Sequence, residues 1–450
     1  MERIKVNVLI IGGSAAGIVI GVTGKSYYPD KEFLLVRKEK QVIVPCAIPY
    51  IFGSLKSSDK DIVPDAVLEK AGVRVKIDEV ISIDQERKIC KTADNTEISF
   101  EKLVIATGSL PVVPRWLKGT ALENVFTIRK DKEYIDKVLA KLEDCEKVVT
   151  IGGGFIGIEV SDELNKLGKE VTLVEILPHI LGLVFDEKVA VKSEEILKSR
   201  GVKIRTNIGV KEILGDKKAT HLLLNNGDKL KTDAVILSMG YRPNTVLAEK
   251  SGIKLNQMGF IKVNEYMITD NPDIFAIGDC AEKRDFITGK LSGIMLASVA
   301  CAEGRIAGMN LYKIKTVKTF TGTISIFSTA IGETGFAAAG MTESSARKEG
   351  FDVVVGIFEG IDKHPGTLSN THQQMVKIIV ARDSGLILGG EVIGGPSTGE
   401  LINLIGLAVQ NKMTINSLLT TQIGTHPLLT APPTAYPLIK AAEVAIKAMK

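Results

Sequence analysis

Val148-Val149-Thr150-Ile151-Gly152-Gly153-Gly154-Phe155-Ile156-Gly157 is an apolar run that breaks into glycines and then into a helical pattern. The run predicts a buried strand of a parallel sheet. Gly152 permits a tight turn, Gly154 lets a pyrophosphate come close to the backbone, and Gly157 lets helix and strand pack together. The helical pattern carries apolar and charged faces as far as Leu167 and is stopped by Gly168. Glu170-Val171-Thr172-Leu173-Val174-Glu175 then predicts a strand ending in an acid, 18 residues past Gly157. A carboxylate at that point accepts a hydrogen bond from a ribose 2′-hydroxyl and repels a 2′-phosphate, which predicts NADH over NADPH.

The same pattern stands 140 residues earlier. Val6 to Ile11 runs into Gly12-Gly13-Ser14-Ala15-Ala16-Gly17 and a helical stretch to about Lys25. Small Ser14 replaces the middle glycine. Phe33-Leu34-Leu35-Val36 predicts the second strand, but Arg37 stands where a ribose-binding acid is expected, and the nearest acid is Glu39. Leu103-Val104-Ile105 leads into Ala106-Thr107-Gly108, after which Pro111 and Pro114 suggest a linker. Val235 to Gly240 repeats the strand-to-glycine ending, and Ile274 to Asp279 gives another strand closing on a glycine–acid pair. Asp279 is placed to accept from a polyol hydroxyl or to cap a helix beginning just after it. Leu296 to about Leu311 predicts a helix rich in small residues, with Cys301 in its core face. From about Phe320 short alternating runs predict an antiparallel sheet, and Gly399 to Gln410 and Ile439 to Met449 predict helices. The expected architecture is α/β, with two nested Rossmann-like, doubly wound nucleotide-binding domains and a C-terminal α+β domain.

Composition limits the function. The chain has 450 residues, 45% of them apolar, enough for several cores. Aromatic content of 5% and a net charge of +4 argue against a nucleic-acid surface. No run of about 18 apolar residues predicts a membrane span, and the N-terminal apolar run is too short for a secretory leader. The five cysteines show neither C-x-x-C nor metal-ligand spacing, so no metal is expected. An odd, scattered set points to a reducing cytoplasm.

Cys46 lies in Val42-Ile43-Val44-Pro45-Cys46-Ala47-Ile48-Pro49-Tyr50, after an apolar run and before a stretch that it is expected to open as a helix. Pro49 is tolerated in a first turn. A thiol at a helix N-terminus favours the thiolate, the nucleophile of disulfide exchange.

In order and spacing, Gly12 to Gly17, Ala106-Thr107-Gly108, Gly152 to Gly157, Gly240-Tyr241-Arg242-Pro243 and Phe275 to Asp279 resemble the FAD- and NAD(P)-dependent disulfide reductase superfamily. The resemblance covers essentially the whole chain. It implies an FAD domain at 1–110 and 240–318, an NAD(H) domain at 111–239, and a dimerisation domain at 319–450 in a homodimer. It implies FAD contacts from Gly12, Ser14, Ala15, Ala16, Gly17, Glu39, Thr107, Gly108, Gly240, Asp279 and Ala297. It likewise implies NADH contacts from Gly152, Gly154, Phe155, Ile156, Gly157, Glu159 and Glu175. The two-cysteine members carry C-x-x-x-x-C; Ile51 takes the second place here, so the chain resembles the single-cysteine branch. Pro45-Cys46-Ala47-Ile48-Pro49-Tyr50 is similar to the coenzyme A disulfide reductase and sulfur or polysulfide reductase group. The related peroxidases and oxidases carry a histidine where this chain has Ala15. His426-Pro427 resembles the His-Pro of the two-cysteine members and is expected near the other subunit's flavin, but their following glutamate is Ala431 here.

The resemblance implies that electrons pass from NADH through the flavin to Cys46 and on to a small-molecule disulfide, coenzyme A disulfide or polysulfide. Two alternatives stay open: an NADH oxidase in which oxygen reacts at the flavin, and a redox-responsive flavoprotein that binds a partner.

Overall fold

The computed structural model describes residues 2–318 and 322–450; the expected start of the C-terminal domain at 319 lies outside them. Contacts divide the chain into two compact units. One comprises Met1–Trp116, Phe126–Cys145 and Leu237–Thr323, the other Leu117–Val125, Glu146–Ile236 and Ile324–Lys450.

The first unit is built on a parallel sheet in the order Ile274–Ala276, Lys102–Ile105, Val8–Ile11, Phe33–Arg37, Val73–Ile77. Every residue of Val8–Ile11 and Phe33–Arg37 is buried, as a sheet covered on both faces requires. The chain leaves this sheet at Ile105 and returns to pair beside it at Ile274, which is the nesting that the repeated motifs predict. Pro111, expected in a linker, belongs instead to the short strand Ser109–Pro111, antiparallel to Tyr241–Pro243. The outgoing and returning chain thus run as a two-stranded ribbon. Helices Ala15–Tyr27 and Ala297–Met309 pack against each other through small residues. A Cβ at Gly304 would lie 3.2 Å from the Ala16 carbonyl oxygen, and one at Gly308 3.1 Å from the Gly24 nitrogen.

By its contacts the segment Phe126–Cys145 groups with this first unit. Polar contacts join it to the rest of that unit: Ser58 Oγ donates to Asp136, Lys132 pairs with Asp59 at 2.8 Å, and Lys130 pairs with Asp279 at 2.7 Å.

The second unit joins the second nucleotide fold to the C-terminal sheet. Strands Lys147–Ile151, Glu170–Val174 and Lys203–Arg205 run parallel, with Ala234–Leu237 beside the first of them. The C-terminal sheet is antiparallel, in the order Ile326–Ile331, Thr334–Gly340, Ile387–Gly394, Gln373–Ala381, Val353–Ile361. The first of these strands begins at Ile326, within the region where alternating runs predict an antiparallel sheet. Helices Thr398–Gln410 and Pro437–Met449 cover the sheet. Gly356 is required by the second of them, since a Cβ there would sit 1.9 Å from the Ala441 carbonyl oxygen. Helices Glu343–Lys348 and Ile415–Leu419 are too short to leave a periodic signal in the sequence.

A buried charge network ties the C-terminal sheet to the loop before helix Glu187–Ser199. Lys377 Nζ lies 2.5 Å from Asp186, 3.1 Å from Glu343 and 3.3 Å from Glu391. Glu391 is fully buried and accepts a hydrogen bond from the Asp186 N–H at 2.7 Å. Burial pushes the Glu391 carboxyl up to about 7. Burial also acts to raise Asp186, but the bonds from Lys377 and Ser344 outweigh it and hold that group at about 2.

Candidate functional site

Each glycine turn delivers the N-terminus of a long helix. Helix Ala15–Tyr27 follows Ser14 and helix Phe155–Lys166 follows Gly154; among the described residues neither is capped by a side chain, and neither has an acid in its first turn. The first N–H groups of each are therefore left to an anion. Gly12 has φ +110° and Gly152 φ +106°, values that favour glycine. A Cβ at Gly17 would meet the Gly12 carbonyl oxygen at 1.9 Å, so helix and turn touch there. At Gly154, Gly108 and Gly240 the space a Cβ would enter is open to 4 Å among the described residues. The backbone is open to a ligand at these three glycines, and the two uncapped helix N-termini suit the pyrophosphate groups of FAD and NADH. Ala16 and Gly157 are buried, and Ile156 is half-buried, on the two helices.

The ends of the two second strands differ. Glu175 is buried over its glycine turn, with Oε2 accepting from the Gly153 N–H at 2.5 Å and Oε1 from the Leu177 N–H at 2.8 Å. Arg37 is buried too, but its stem covers Gly13 and its guanidinium is bound within the protein. It makes two bonds of 2.7 Å to Asp65 and donates to the carbonyls of Glu39 and Lys40. Arg37 thus fastens the loop after its strand. Glu39 is half-buried there, with its carboxyl pushed up mainly by burial. The pairing of Arg37 with Asp65 has no local signal in the sequence.

Around Thr107 and Asp279 the strand ends of the first unit converge. Thr107 Oγ1 donates to the Asn244 carbonyl at 2.6 Å. Asp279 Oδ2 accepts from Ser109 Oγ and Lys130 Nζ, both at 2.7 Å. Burial acts to raise Asp279, but Lys130 and the Ser109 bond hold it below the usual carboxylate range. Asp279 is thus kept ionised and able to accept from a hydroxyl. Lys130 is not evident from the sequence, because it sits 149 residues away in an unremarkable charged stretch.

Cys46 is exposed, in a turn after the strand Val42–Ile43, which pairs with Ile62–Val63. It does not open a helix. The Ala47 N–H closes the turn on the Val44 carbonyl at 2.9 Å, and the helix starts two residues past the cysteine, at Ile48, with Pro49 in its first turn. The helical path continues as a wider π turn over Ile51–Leu55. A cavity of about 180 Å³ brings Cys46 together with Ser14 and Ala15 of the first turn and with Ala297. Cys301, expected in the core, lines the same cavity and is only half-buried.

In the second unit the Phe155 ring packs edge-on against Phe327 and Phe185, with centroids 5.0 and 6.3 Å away. Glu159, one turn further along the helix, accepts from Thr329 Oγ1 at 2.6 Å. Its burial pushes the carboxyl up to about 7. His426 is exposed. Its loop is held by the His364 N–H, which donates to the Pro427 carbonyl at 3.1 Å. Asp362, buried, bonds the ring of His372 at 2.9 Å, a pair with no signal in the sequence. Among the described residues no helix is long and apolar enough to cross a membrane, and no cluster of His, Cys, Asp and Glu is arranged to hold a metal.

Two dinucleotide turns in nested folds, with a cysteine in a cavity beside the first, define a redox enzyme that works with two nucleotides. Residues 6–304 match the family described as pyridine nucleotide-disulphide oxidoreductase, and residues 326–436 match its dimerisation domain. The chain belongs to this family and is an NAD(P)H-dependent flavoprotein oxidoreductase. It is 30% identical to an NADH oxidase of Methanocaldococcus jannaschii, over 98% of both chains. It is also 30% identical to an NAD(P)H coenzyme A polysulfide/persulfide reductase of Pyrococcus horikoshii, over 87% of this chain and 88% of that one. The solved NAD-dependent persulfide reductase from A. fulgidus superposes with a TM-score of 0.90 at 30% identity, covering 98% of this chain and 83% of that chain.

Proposed function

We propose that this protein is an NADH-dependent reductase that passes two electrons through Cys46 to a sulfur acceptor, either a disulfide, coenzyme A disulfide included, or a polysulfide. The observation that carries the reading is the position of Cys46, exposed in a cavity shared with Ser14, Ala15 and Ala297. Bound FAD supplies the two-electron chemistry between nicotinamide and sulfur. Residues 1–110 and 240–318 hold it. The N–H groups after Gly12 and Ser14 take its pyrophosphate, and Asp279, kept ionised by Lys130, accepts from a hydroxyl of its polyol chain. Gly108 and Gly240 leave the approach open, and Thr107, Ala16, Gly17 and Glu39 complete that site.

Residues 111–239 hold NADH through Gly152, Gly154, Phe155, Ile156 and Gly157. Glu175 takes the ribose, and Glu159 lies toward the nicotinamide. The segment from 319 forms the homodimer contact, two-fold symmetry being the usual arrangement. Cys46 attacks the acceptor as the sulfur nucleophile, in a cavity whose remaining walls are mostly apolar.

The similarity to an NADH oxidase along 98% of the chain supports a second reading, with oxygen as acceptor and Cys46 outside the electron path. Anaerobic stopped-flow distinguishes the two. Enzyme reduced by one equivalent of NADH is expected to reoxidise faster with inorganic polysulfide or a small disulfide than with air-saturated buffer. Faster reoxidation by air would assign the oxidase reading.

Nicotinamide choice gives a separate test. Wild-type kcat/KM is expected to favour NADH over NADPH, and Glu175→Ala to narrow that ratio by removing the charge that repels a 2′-phosphate. Because Glu175 also bonds the Gly153 and Leu177 N–H groups, the variant is expected to raise KM for NADH as well. An unchanged NADH/NADPH ratio would remove Glu175 from the ribose site.

A further inference from the structure

Two thiols from distant parts of the chain line one cavity. Cys46 reaches it from the turn after Val42–Ile43, and Cys301 from the helix Ala297–Met309. Cys301 follows Ala297 by four residues, so both stand on the helix face that borders the cavity. Ile18, Val19, Val44 and Val63 make most of the remaining wall apolar. At about 180 Å³ the space admits a few sulfur atoms bonded to Cys46, and Cys301 stands on the wall of the same space. Burial pushes the Cys301 thiol up from the usual thiol range, against a smaller pull from Arg305, so this sulfur keeps its proton at neutral pH.

We propose that Cys301 is a resolving thiol for Cys46, which removes sulfur from Cys46 by forming a Cys46–Cys301 disulfide. The inference rests on the reading of Cys46 as the sulfur nucleophile. In the first step the Cys46 thiolate takes the terminal sulfur of a polysulfide; one S–S bond breaks, one forms, and the polysulfide dianion leaves one sulfur shorter. Cys46 is then a persulfide anion. In the second step the Cys301 thiol passes its proton to the outer sulfur of the persulfide, the Cys301 thiolate so formed attacks Cys46 Sγ, the persulfide S–S bond breaks, and hydrosulfide departs. Two electrons from NADH, delivered through the flavoprotein activity, and one proton then restore the Cys46 thiolate and the Cys301 thiol. The polysulfide is the oxidant throughout. Disulfide exchange runs through such direct attack of sulfur on sulfur and depends on access, which the shared cavity provides.

The experiment uses flavin-loaded enzyme with its thiols reduced, mixed anaerobically with inorganic polysulfide in the absence of NADH. The reaction is quenched with acid and an alkylating agent, and the peptides are weighed. Wild type is expected to yield a peptide pair joined through Cys46 and Cys301. Cys301→Ser and Cys301→Ala are expected to lose that pair and to retain the persulfide on Cys46. The wild-type result decides the matter even if a variant folds poorly. Equal persulfide on Cys46 in all three proteins with no joined pair overturns the proposal while leaving Cys46 as the sulfur acceptor. Absence of both persulfide and joined pair overturns the reading of Cys46 and the proposal with it.

Discussion

Replacing Cys46 by serine is expected to abolish reduction of disulfides and polysulfide while leaving reduction of the flavin by NADH intact. A hydroxyl is not ionised near neutral pH and carries no transferable sulfur. Loss of a nucleophile from an enzyme of this kind costs roughly 10³-fold or more in turnover. The cavity itself changes little, since serine differs from cysteine by one atom. The half-reactions are therefore separable in one preparation. Bleaching of the flavin absorbance on mixing with NADH is expected at the wild-type rate, and its return on adding polysulfide at a rate reduced by that factor. Oxygen consumption is expected to persist or rise, because the competing acceptor is lost. Wild-type polysulfide reduction by the serine variant would make Cys46 structural. Loss of oxygen reduction alone would favour an oxidase with a working cysteine.

The second large effect concerns stability. Lys377→Met is expected to destabilise the second unit by about 3–5 kcal/mol, because it leaves the carboxylates of Asp186 and Glu391 buried without their cation. For a unit of this size that is a fall in thermal midpoint of roughly 10 °C. Lys188→Ala, which breaks the exposed pair between Lys188 and Glu359, is expected to cost no more than about 1 kcal/mol. Thermal unfolding followed by circular dichroism compares the two, and equal midpoints would show that the buried network does not hold the unit together.

The network also sets a pH dependence. Glu391, raised to about 7 in the fold, favours folding at low pH, and that contribution is lost as pH rises through about 7. Asp186, held at about 2, acts in the opposite sense; its contribution is present above about 4 and lost as pH falls through about 2. The midpoint is therefore expected to decline between pH 5 and pH 8, and Glu391→Gln to flatten that decline.

The range of an interaction decides whether the sequence makes it legible. Gly152, Gly154, Gly157 and Glu175 lie within a short window, and their spacing carries the strand, the turn, the helix and the acid together. The nesting is legible because the motif repeats and because the strand Ile274–Ala276 ends in its own glycine–acid pair. The turn at Cys46 reads as a helix start because Pro49 suits both; the Ala47 to Val44 bond that delays the helix leaves no mark on composition. Lys130 with Asp279, Arg37 with Asp65, Thr329 with Glu159 and Cys46 with Cys301 are meetings of residues far apart in the chain. Asp279, Arg37, Glu159 and Cys46 stand out by their motifs, but Lys130, Asp65, Thr329 and Cys301 read as ordinary charged, polar or core residues, and only the fold makes them partners.

The strand order of the first sheet has a consequence for how the protein is made. Ile274–Ala276 covers the edge of Lys102–Ile105, yet the chain from Ala106 to Asp273 must be synthesised before that strand exists. Until then Leu103, Val104 and Ile105 form an uncovered apolar edge, open to pairing with any other extended chain. The inserted nucleotide fold emerges during this interval and has its own sheet to complete. A ribosome that stalls between the two strands would therefore carry a sheet that lacks only its edge strand and has an adhesive border, and such nascent chains are the ones a chaperone has most reason to hold.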